Sequence, residues 1–162
     1  MDIDPVPINS QLITLFGQQR LAVVATDSGS GPYTSLVAFA VTPDLGRLIF
    51  LTSRATQKFR NIESRPQVAL LIDNRSNQPV DLARGVAVTA LGTAAEAQGA
   101  AREELLQLLR KRHPELGGFA DEPSTAVIAI TVSRYIVVSH FQEVRVLGMD
   151  GGPTNFQEKS LR

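Results

Sequence analysis

Hydroxyl and cationic side chains are concentrated in one short segment, Thr52-Ser53-Arg54-Ala55-Thr56-Gln57-Lys58. The apolar run from Arg47 to Thr52 leads into this segment and is predicted to be a strand. From Ala55 onward the apolar residues recur with a period of about 3.6 until Pro66, so a short helix is predicted there. Ser53 is the predicted N-cap of that helix. A strand therefore passes almost directly into a helix through a polar junction.

The chemistry offered by this junction is the binding of a phosphate. Free backbone N–H groups at the start of a helix attract anions, and the hydroxyls of Thr52, Ser53 and Thr56 add hydrogen-bond donors. Spacing alone favours a plainer interpretation, a capped amphipathic helix whose cations face solvent. At 3.6 residues per turn, four donor side chains share one edge of the predicted helix: Arg54, Lys58, Asn61 and Arg65.

Two further places carry candidate functional groups. Asn74 and Arg75 follow an apolar run within a polar loop, where they either contact a ligand or simply form a turn. His140 is a candidate haem ligand or proton donor, although a single histidine at a strand end is more often a surface residue. His113 precedes Pro114 and is expected to help end a helix.

Composition excludes several classes of function. The 162 residues carry 16 basic and 16 acidic side chains, so no net positive field favours nucleic acid or an anionic membrane. There is no cysteine, which excludes disulfides and thiolate catalysis and fits a cytoplasmic location. Two histidines argue against a histidine-rich metal site, and no apolar run approaches the length of about 18 residues that a membrane span needs. A soluble globular protein is expected.

The element pattern predicts a mainly β fold. A short helix is expected from Asn9 or Ser10 to Phe16, and a longer one from Gly99 to Arg112. We expect a six-stranded antiparallel β-barrel with peripheral helices, in a single domain over 1–162 with flexible ends at 1–9 and 148–162. The predicted strands are Leu21 to Thr26, Tyr33 to Thr42, Arg47 to Thr52, Val68 to Asp73, Gly85 to Ala97 and Thr125 to Phe141.

The order of these segments resembles a known family. LAVVAT, a Gly-rich turn, PYTSLVAFAV, RLIFLTSRATQKFRNIE and PQVALLID together resemble the flavin mononucleotide (FMN)-binding split barrel of the pyridoxamine 5′-phosphate oxidase-like superfamily, over about residues 10 to 139. The resemblance implies that FMN is the cofactor. It also implies a homodimer that holds each flavin at the subunit interface, so that Asn74 or Arg75 could reach the partner's flavin.

The resemblance also implies roles for individual residues. Thr56 and Lys58 match the hydroxyl and the cation that bind the flavin phosphate in that family. Thr52 and Ser53 would lie beside the ring system, together with the preceding strand at Ser35, Leu36 and Val37. The chain lacks the Arg-, Trp- and His-rich C-terminal sequence of true pyridoxamine phosphate oxidases, so oxidation of that substrate is not expected.

Three functional hypotheses follow. The first is an FMN-dependent oxidoreductase that uses a small-molecule electron donor or acceptor, with the flavin itself carrying the hydride step. The second is a flavin- or haem-binding protein without turnover, used in storage, sensing or stress protection. The third replaces FMN with a deazaflavin in a reductase.

Overall fold

The computed structural model describes residues 6–140 and 142–149. Within them, the order of elements is α1, β1, β2, β3, α2, β4, α3, β5, α4, a 3₁₀ turn, α5, β6 and β7. The helices are α1 Ile8–Gln18, α2 Gln57–Ser64, α3 Asp81–Arg84, α4 Gly99–Arg112 and α5 Gly117–Asp121, the last preceded by the 3₁₀ turn Pro114–Leu116. The strands are β1 Leu21–Asp27, β2 Pro32–Val41, β3 Arg47–Ser53, β4 Gln67–Asp73, β5 Ala87–Glu96, β6 Thr125–Ser139 and β7 Glu143–Gly148.

Six of these strands close into an antiparallel barrel, which confirms the predicted fold class. The sheet order is β3-β2-β1-β4-β5-β6-β7, and a further pairing of β3 with β6 closes the ring. The long β6 makes closure possible, since its first half pairs with β3 and its second half with β7, while β5 runs along most of its length. The register of β5 against β6 shifts between Leu91 and Gly92, as at a β-bulge.

The barrel interior is filled by the alternate residues of each strand. Val24, Phe39, Leu48, Leu70 and Ile128 are among those that form this core, at 0 to 1% exposure. Helix α1 adds its apolar stripe to the same cluster: Ile8, Leu12, Leu15 and Phe16.

A second core lies outside the barrel wall, beneath α4. The buried face of α4 carries Leu105, Leu106 and Leu109, which pack against the outer side chains of β3 and β6, such as Ile49 and Val127. Helix α4 therefore covers β3 on the side away from the barrel interior. The predicted span of this helix, Gly99 to Arg112, is confirmed.

Two boundaries differ from those expected. Helix α1 begins at Ile8 with Pro7 as its cap, so residues 8 and 9 belong to a helix rather than to a flexible end. Strand β6 ends at Ser139, and β7, which was not predicted, pairs back onto it from Ser139↔Glu143 to Arg134↔Gly148. Of the expected flexible ends, residues 1–5 and 150–162 lie outside the described residues. Among those described, no helix combines the length and apolar character needed to cross a bilayer.

Candidate functional site

The barrel wall divides where β2 and β3 separate. Within the described residues their pairing ends at Phe39↔Phe50, although β2 continues outward to Pro32 and β3 to Ser53. A cleft of about 390 Å³ lies along this split. Its lining residues are Leu36, Val37, Ala38, Leu51, Thr52, Ser53, Thr56, Lys58, Leu116 and Phe119.

The backbones on both sides of the split present hydrogen-bonding groups to the cleft. The N–H of Phe39 donates to the carbonyl oxygen of Arg20, the residue just before β1, so Ala38 and Leu36, at odd spacing from Phe39, direct their backbone groups the other way, toward β3. On β3, Arg47 O accepts from the N–H of Thr42, the residue that follows β2, so Leu51 and Ser53, at even spacing from Arg47, face β2. A flat polar ligand would find main-chain donors and acceptors on both walls.

One end of the cleft holds a hydrogen-bonded set of hydroxyls joined to a lysine. The Thr56 hydroxyl donates to Ser53 O at 2.9 Å and accepts from Phe59 N at 3.3 Å. Its single proton is thereby used, so in the 2.9 Å contact between the two threonine hydroxyls Thr52 is the donor. Thr52 Oγ1 then accepts from Lys58 Nζ at 3.4 Å. The ammonium keeps its other protons for an anion.

The start of α2 adds main-chain donors at the same end. Thr56 is the N-cap, and its hydroxyl satisfies the N–H of Phe59. Among the described residues, the N–H groups of Gln57 and Lys58 have no acceptor, as expected for the first turn of a helix. The prediction of Ser53 as N-cap is therefore wrong: Ser53 Oγ accepts from Ala55 N and Ser53 O from Thr56 N, in a turn that delays the helix to Gln57.

Lys58 is partly removed from water by its place in the cleft. This burial lowers the pKa of its ammonium below the usual lysine range. Lys58 is the ionisable side chain among the ten lining residues. An anion bound beside it would meet a charge that is weakly hydrated and close to two hydroxyls.

The other cations of the predicted stripe have different partners. Arg54 forms an ion pair with Glu96 on β5, which raises the pKa of its guanidinium, and donates from Nη1 to Pro123 O at 2.8 Å. Arg65 lies 3.8 Å from Asp27, at the tip of the β1–β2 hairpin. Neither side chain lines the cleft.

Asn61, the fourth donor of that stripe, has a structural role. It is buried, its Nδ2 donates to Thr26 Oγ1 of β1 at 2.9 Å, and its Oδ1 accepts from Gln57 Nε2 at 2.7 Å. The bond to Thr26 fastens α2 to the barrel, and the bond to Gln57 orients the Asn61 carboxamide. Of the four donors expected to share one edge, the structure brings only Lys58 to the cleft wall.

The opposite wall comes from the segment after α4, which the sequence did not indicate as part of a site. Leu116 of the 3₁₀ turn and Phe119 of α5 line the cleft on its outer side. This wall is anchored by His113, which is 1% exposed and whose Nε2 donates to Phe39 O at 2.7 Å. Arg20 adds an ion pair with Glu115. Phe39 is the last β2 residue paired with β3, so the anchor lies at the base of the split.

The cleft opens onto an apolar outer face of the barrel. Cross-strand pairing aligns Leu36, Val23 and Leu71 in one row over β2, β1 and β4. Leu36 is 65% exposed and Leu71 37% exposed. We call this surface the outer face; it comprises Leu21, Val23, Leu36, Leu71, Ile136 and Val138.

The remaining predicted site residues lie around this outer face. Arg75 pairs in two-pronged fashion with Asp73, which raises the pKa of its guanidinium, and lines a 190 Å³ recess together with Leu36 and Leu71. The Asn74 carboxamide oxygen accepts from Val86 N at 2.7 Å, so it stabilises the base of its loop. Ser35 is half-buried and does not line the cleft.

His140 lies at the tip of the β6–β7 hairpin with a positive φ of 45°. Its side chain is largely exposed and its Nδ1 lies 3.4 Å from Glu143. Residues 6–140 and 142–149 contain no cluster of three or more metal-ligating side chains.

Comparison with known sequences identifies the family. A sequence model described as pyridoxamine 5′-phosphate oxidase matches residues 8–139, from the start of α1 to the end of β6. The chain belongs to this family. The expected resemblance is confirmed, and the matched region includes both walls of the cleft. No curated protein matches the sequence significantly.

Solved structures show how the family fold recurs. A heme binding protein from Mycobacterium smegmatis superposes with a TM-score of 0.80 at 18% identity, over 90% of this chain and 60% of that one. HutZ, the heme storage protein from Vibrio cholerae, superposes with a TM-score of 0.67 at 15% identity, over 78% of this chain and 91% of that one. General Stress Protein 26 from Bacillus anthracis superposes with a TM-score of 0.64 at 18% identity, over 81% of this chain and 93% of that one. The chain spans less than two thirds of the Mycobacterium protein, and at these identities the likeness concerns the fold.

Proposed function

We propose that this chain is an FMN-binding redox protein, an oxidoreductase of the pyridoxamine 5′-phosphate oxidase family that holds its flavin in the split between β2 and β3. The observation that carries the proposal is the composition of the cleft. A hydroxyl pair, a lysine and free helix amides meet at one end, and unpaired strand backbones flank the remainder. The volume of about 390 Å³ falls in the usual range for cofactor sites.

The phosphate would be bound at the start of α2. Lys58 supplies charge, Thr52 and Thr56 supply hydroxyls, and the N–H groups of Gln57 and Lys58 supply main-chain donors. Lysine is a suitable partner because a phosphate keeps a negative charge at neutral pH and the cleft partly excludes water.

The flavin ring would lie along the diverging strands. Ala38 and Leu36 on one side and Leu51 and Ser53 on the other offer backbone groups of the kind that hydrogen-bond the polar edge of the ring. Leu116 and Phe119 supply an apolar wall. Bound flavin would accept and pass on electrons, while the protein orients the ring and limits the approach of water.

A second copy of the chain completes the site in this proposal. The outer face exposes several large apolar side chains in adjacent strands, as expected for a surface that is covered in the working assembly. Leu36 belongs both to this face and to the cleft, so a partner that covers the face reaches the flavin. Arg75 at the rim is then positioned to contact the partner's flavin.

A second candidate function is haem binding without turnover. Two structural neighbours are a heme binding protein and a heme storage protein, and a third is a general stress protein. In this chain His140 offers an exposed imidazole near the rim of the outer face. A deazaflavin in place of FMN remains the third alternative, because its ring would meet the same backbone groups.

Titration with candidate cofactors distinguishes these functions. The purified full chain would be titrated separately with FMN, hemin and a deazaflavin cofactor, followed by absorbance and flavin fluorescence. The proposal expects saturable FMN binding at one per chain, with little competition from hemin. Hemin binding that is lost in His140→Ala, without measurable FMN binding, would support the second function and refute the first.

A further inference from the structure

A second and larger cavity lies at the other side of the helical layer. A groove of about 590 Å³ runs between the last turns of α1 and α4, and the end of β2 and the β2–β3 turn form its floor. We call it the helix groove. Its apolar surface comes from Ile13, Phe16, Leu45 and Leu108, and Ile13 is 56% exposed at the edge. Its residues are distinct from those of the cleft.

A fixed positive charge stands beside this apolar surface. Arg112 Nη2 shares its two protons among three backbone carbonyl oxygens at the end of α1: Phe16 at 2.7 Å, Gly17 at 3.0 Å and Gln19 at 2.7 Å. These bonds hold the guanidinium at the groove wall. Its Nε and Nη1 form no hydrogen bond among the described residues, so donors remain for a ligand.

Lys111 adds a second cation to the lining of the groove. It is exposed and lines the groove, and it forms neither an ion pair nor a hydrogen bond within residues 6–140 and 142–149. The neighbouring Arg110 is instead paired with Asp121. The carboxylate closest in sequence to the floor, Asp44, accepts from Thr42 and Gly46 in its own turn, and these bonds lower its pKa.

Gly17 keeps the groove open between these groups. It lies inside α1, where glycine is a weaker helix former than alanine, yet a Cβ at this position would meet no described heavy atom within 4 Å. Because Gly17 also lines the groove, a larger side chain at this position is expected to reduce the space in the groove without straining the fold.

We propose that the helix groove binds an amphipathic anion, a single-chain carboxylate whose hydrocarbon lies on the apolar floor and whose carboxylate meets Lys111 and Arg112. Such a ligand is complementary to the groove in charge. Ligand sites are usually apolar with a few convergent polar groups, and here two adjacent cations of the last turn of α4 line a groove whose other lining residues are mostly apolar. This inference is independent of the flavin site.

Isothermal titration of the full chain with sodium dodecanoate tests this site. We expect saturable binding below the micelle concentration, weakened about tenfold or more in Lys111→Glu and abolished in Gly17→Leu. Arg84→Glu makes the same change in net charge on α3 and is expected to leave binding unchanged. Dodecanol, which has the same chain without the charge, is expected to bind more weakly than dodecanoate.

Several results would overturn the proposal. They include absence of dodecanoate binding, or equal losses in Lys111→Glu and Arg84→Glu. Dodecanoate binding that appears only in the Phe156→Asp variant would indicate that the chain's own 150–162 segment occupies the groove in the unmodified protein. Concentration-dependent self-association that is lost in Gly17→Leu would assign it to a second copy.

Discussion

The imidazole of His113 donates from Nε2 to the carbonyl oxygen of Phe39 over 2.7 Å, in a site from which water is almost entirely excluded. A carbonyl only accepts, so the Nε2–H tautomer is required, and Nδ1 lies 3.3 Å from the Arg20 guanidinium. This bond joins the end of α4 to β2 at the last residue before β2 and β3 part. It therefore connects the helical layer to the base of the proposed flavin cleft.

Replacing His113 with alanine is expected to lower the free energy of unfolding by about 2 to 4 kcal/mol, because it leaves Phe39 O without a donor and creates a cavity. Urea denaturation followed by circular dichroism measures this loss. His140→Asn is the matched control, since it changes an exposed histidine and asparagine tolerates the positive φ. Equal stability of the two variants would show that the His113 bond contributes little.

Leu71→Glu is expected to separate the proposed dimer into monomers, because it places a charge in the middle of the outer face. Leu71 is already partly exposed in the single chain, so the fold should survive. Sedimentation velocity measures the change in mass. If the partner completes the flavin site, FMN affinity falls together with dimerisation.

The control for that variant is Ile13→Glu, which replaces an exposed apolar side chain of α1 with a charged one. It should leave the mass of the assembly unchanged. If Ile13→Glu dissociates the dimer while Leu71→Glu does not, the interface lies at the helix groove and the outer face has another role.

The affinity for FMN is expected to fall as the pH rises above neutral. Burial lowers the pKa of Lys58, and only its charged form attracts a phosphate. Bound phosphate favours the charged form, so the complex holds more protons than the free protein in this window. Affinity is therefore complete at neutral pH and is lost as pH rises through the Lys58 pKa, which lies below the ordinary value of about 10.4.

Binding titrations at stepped pH measure this decline, with Lys58→Arg as the comparison. Arginine stays charged throughout the accessible range, so the alkaline decline should disappear in that variant. A decline of the same size in wild type and Lys58→Arg would assign the pH dependence to the flavin or to another group.

The fold followed largely from local pattern. Alternation and turn residues located the strands of the barrel, and the strand-to-helix junction at Thr52 to Lys58 is present as expected. Strand β7 was missed because its hairpin tip lacks glycine, proline and asparagine: His140 and Gln142 adopt positive φ there instead. Turn chemistry of that kind gives no signal in a sequence.

The site was less predictable, since its details depend on contacts between distant residues. Helical spacing placed Arg54 beside Lys58, but Glu96, 42 positions away, pairs with Arg54. Leu116 and Phe119 line the cleft in a segment that His113 and the Arg20–Glu115 ion pair hold in place, and no local pattern indicates those contacts. The periodicity of the sequence does not distinguish Ser53 from Thr56 as the N-cap of α2. In the structure Ser53 forms a turn before the helix, and Thr56 is the cap.

The central claim is that Lys58 holds the phosphate of a flavin in the cleft between β2 and β3. The most direct test compares the binding of FMN and riboflavin, which differ by that phosphate, to wild type, Lys58→Ala and Arg60→Ala. Arg60, a second cation of α2, serves as the control. Its guanidinium donates hydrogen bonds to Ala55 O and Gln57 Oε1 and does not line the cleft.

Fluorescence titration gives both dissociation constants for each protein. We expect Lys58→Ala to weaken FMN binding by about 1.5 to 3 kcal/mol while riboflavin binding is nearly unchanged, and Arg60→Ala to alter neither. Equal weakening of FMN and riboflavin in Lys58→Ala, or no weakening of either, would contradict the assignment of the phosphate to this site.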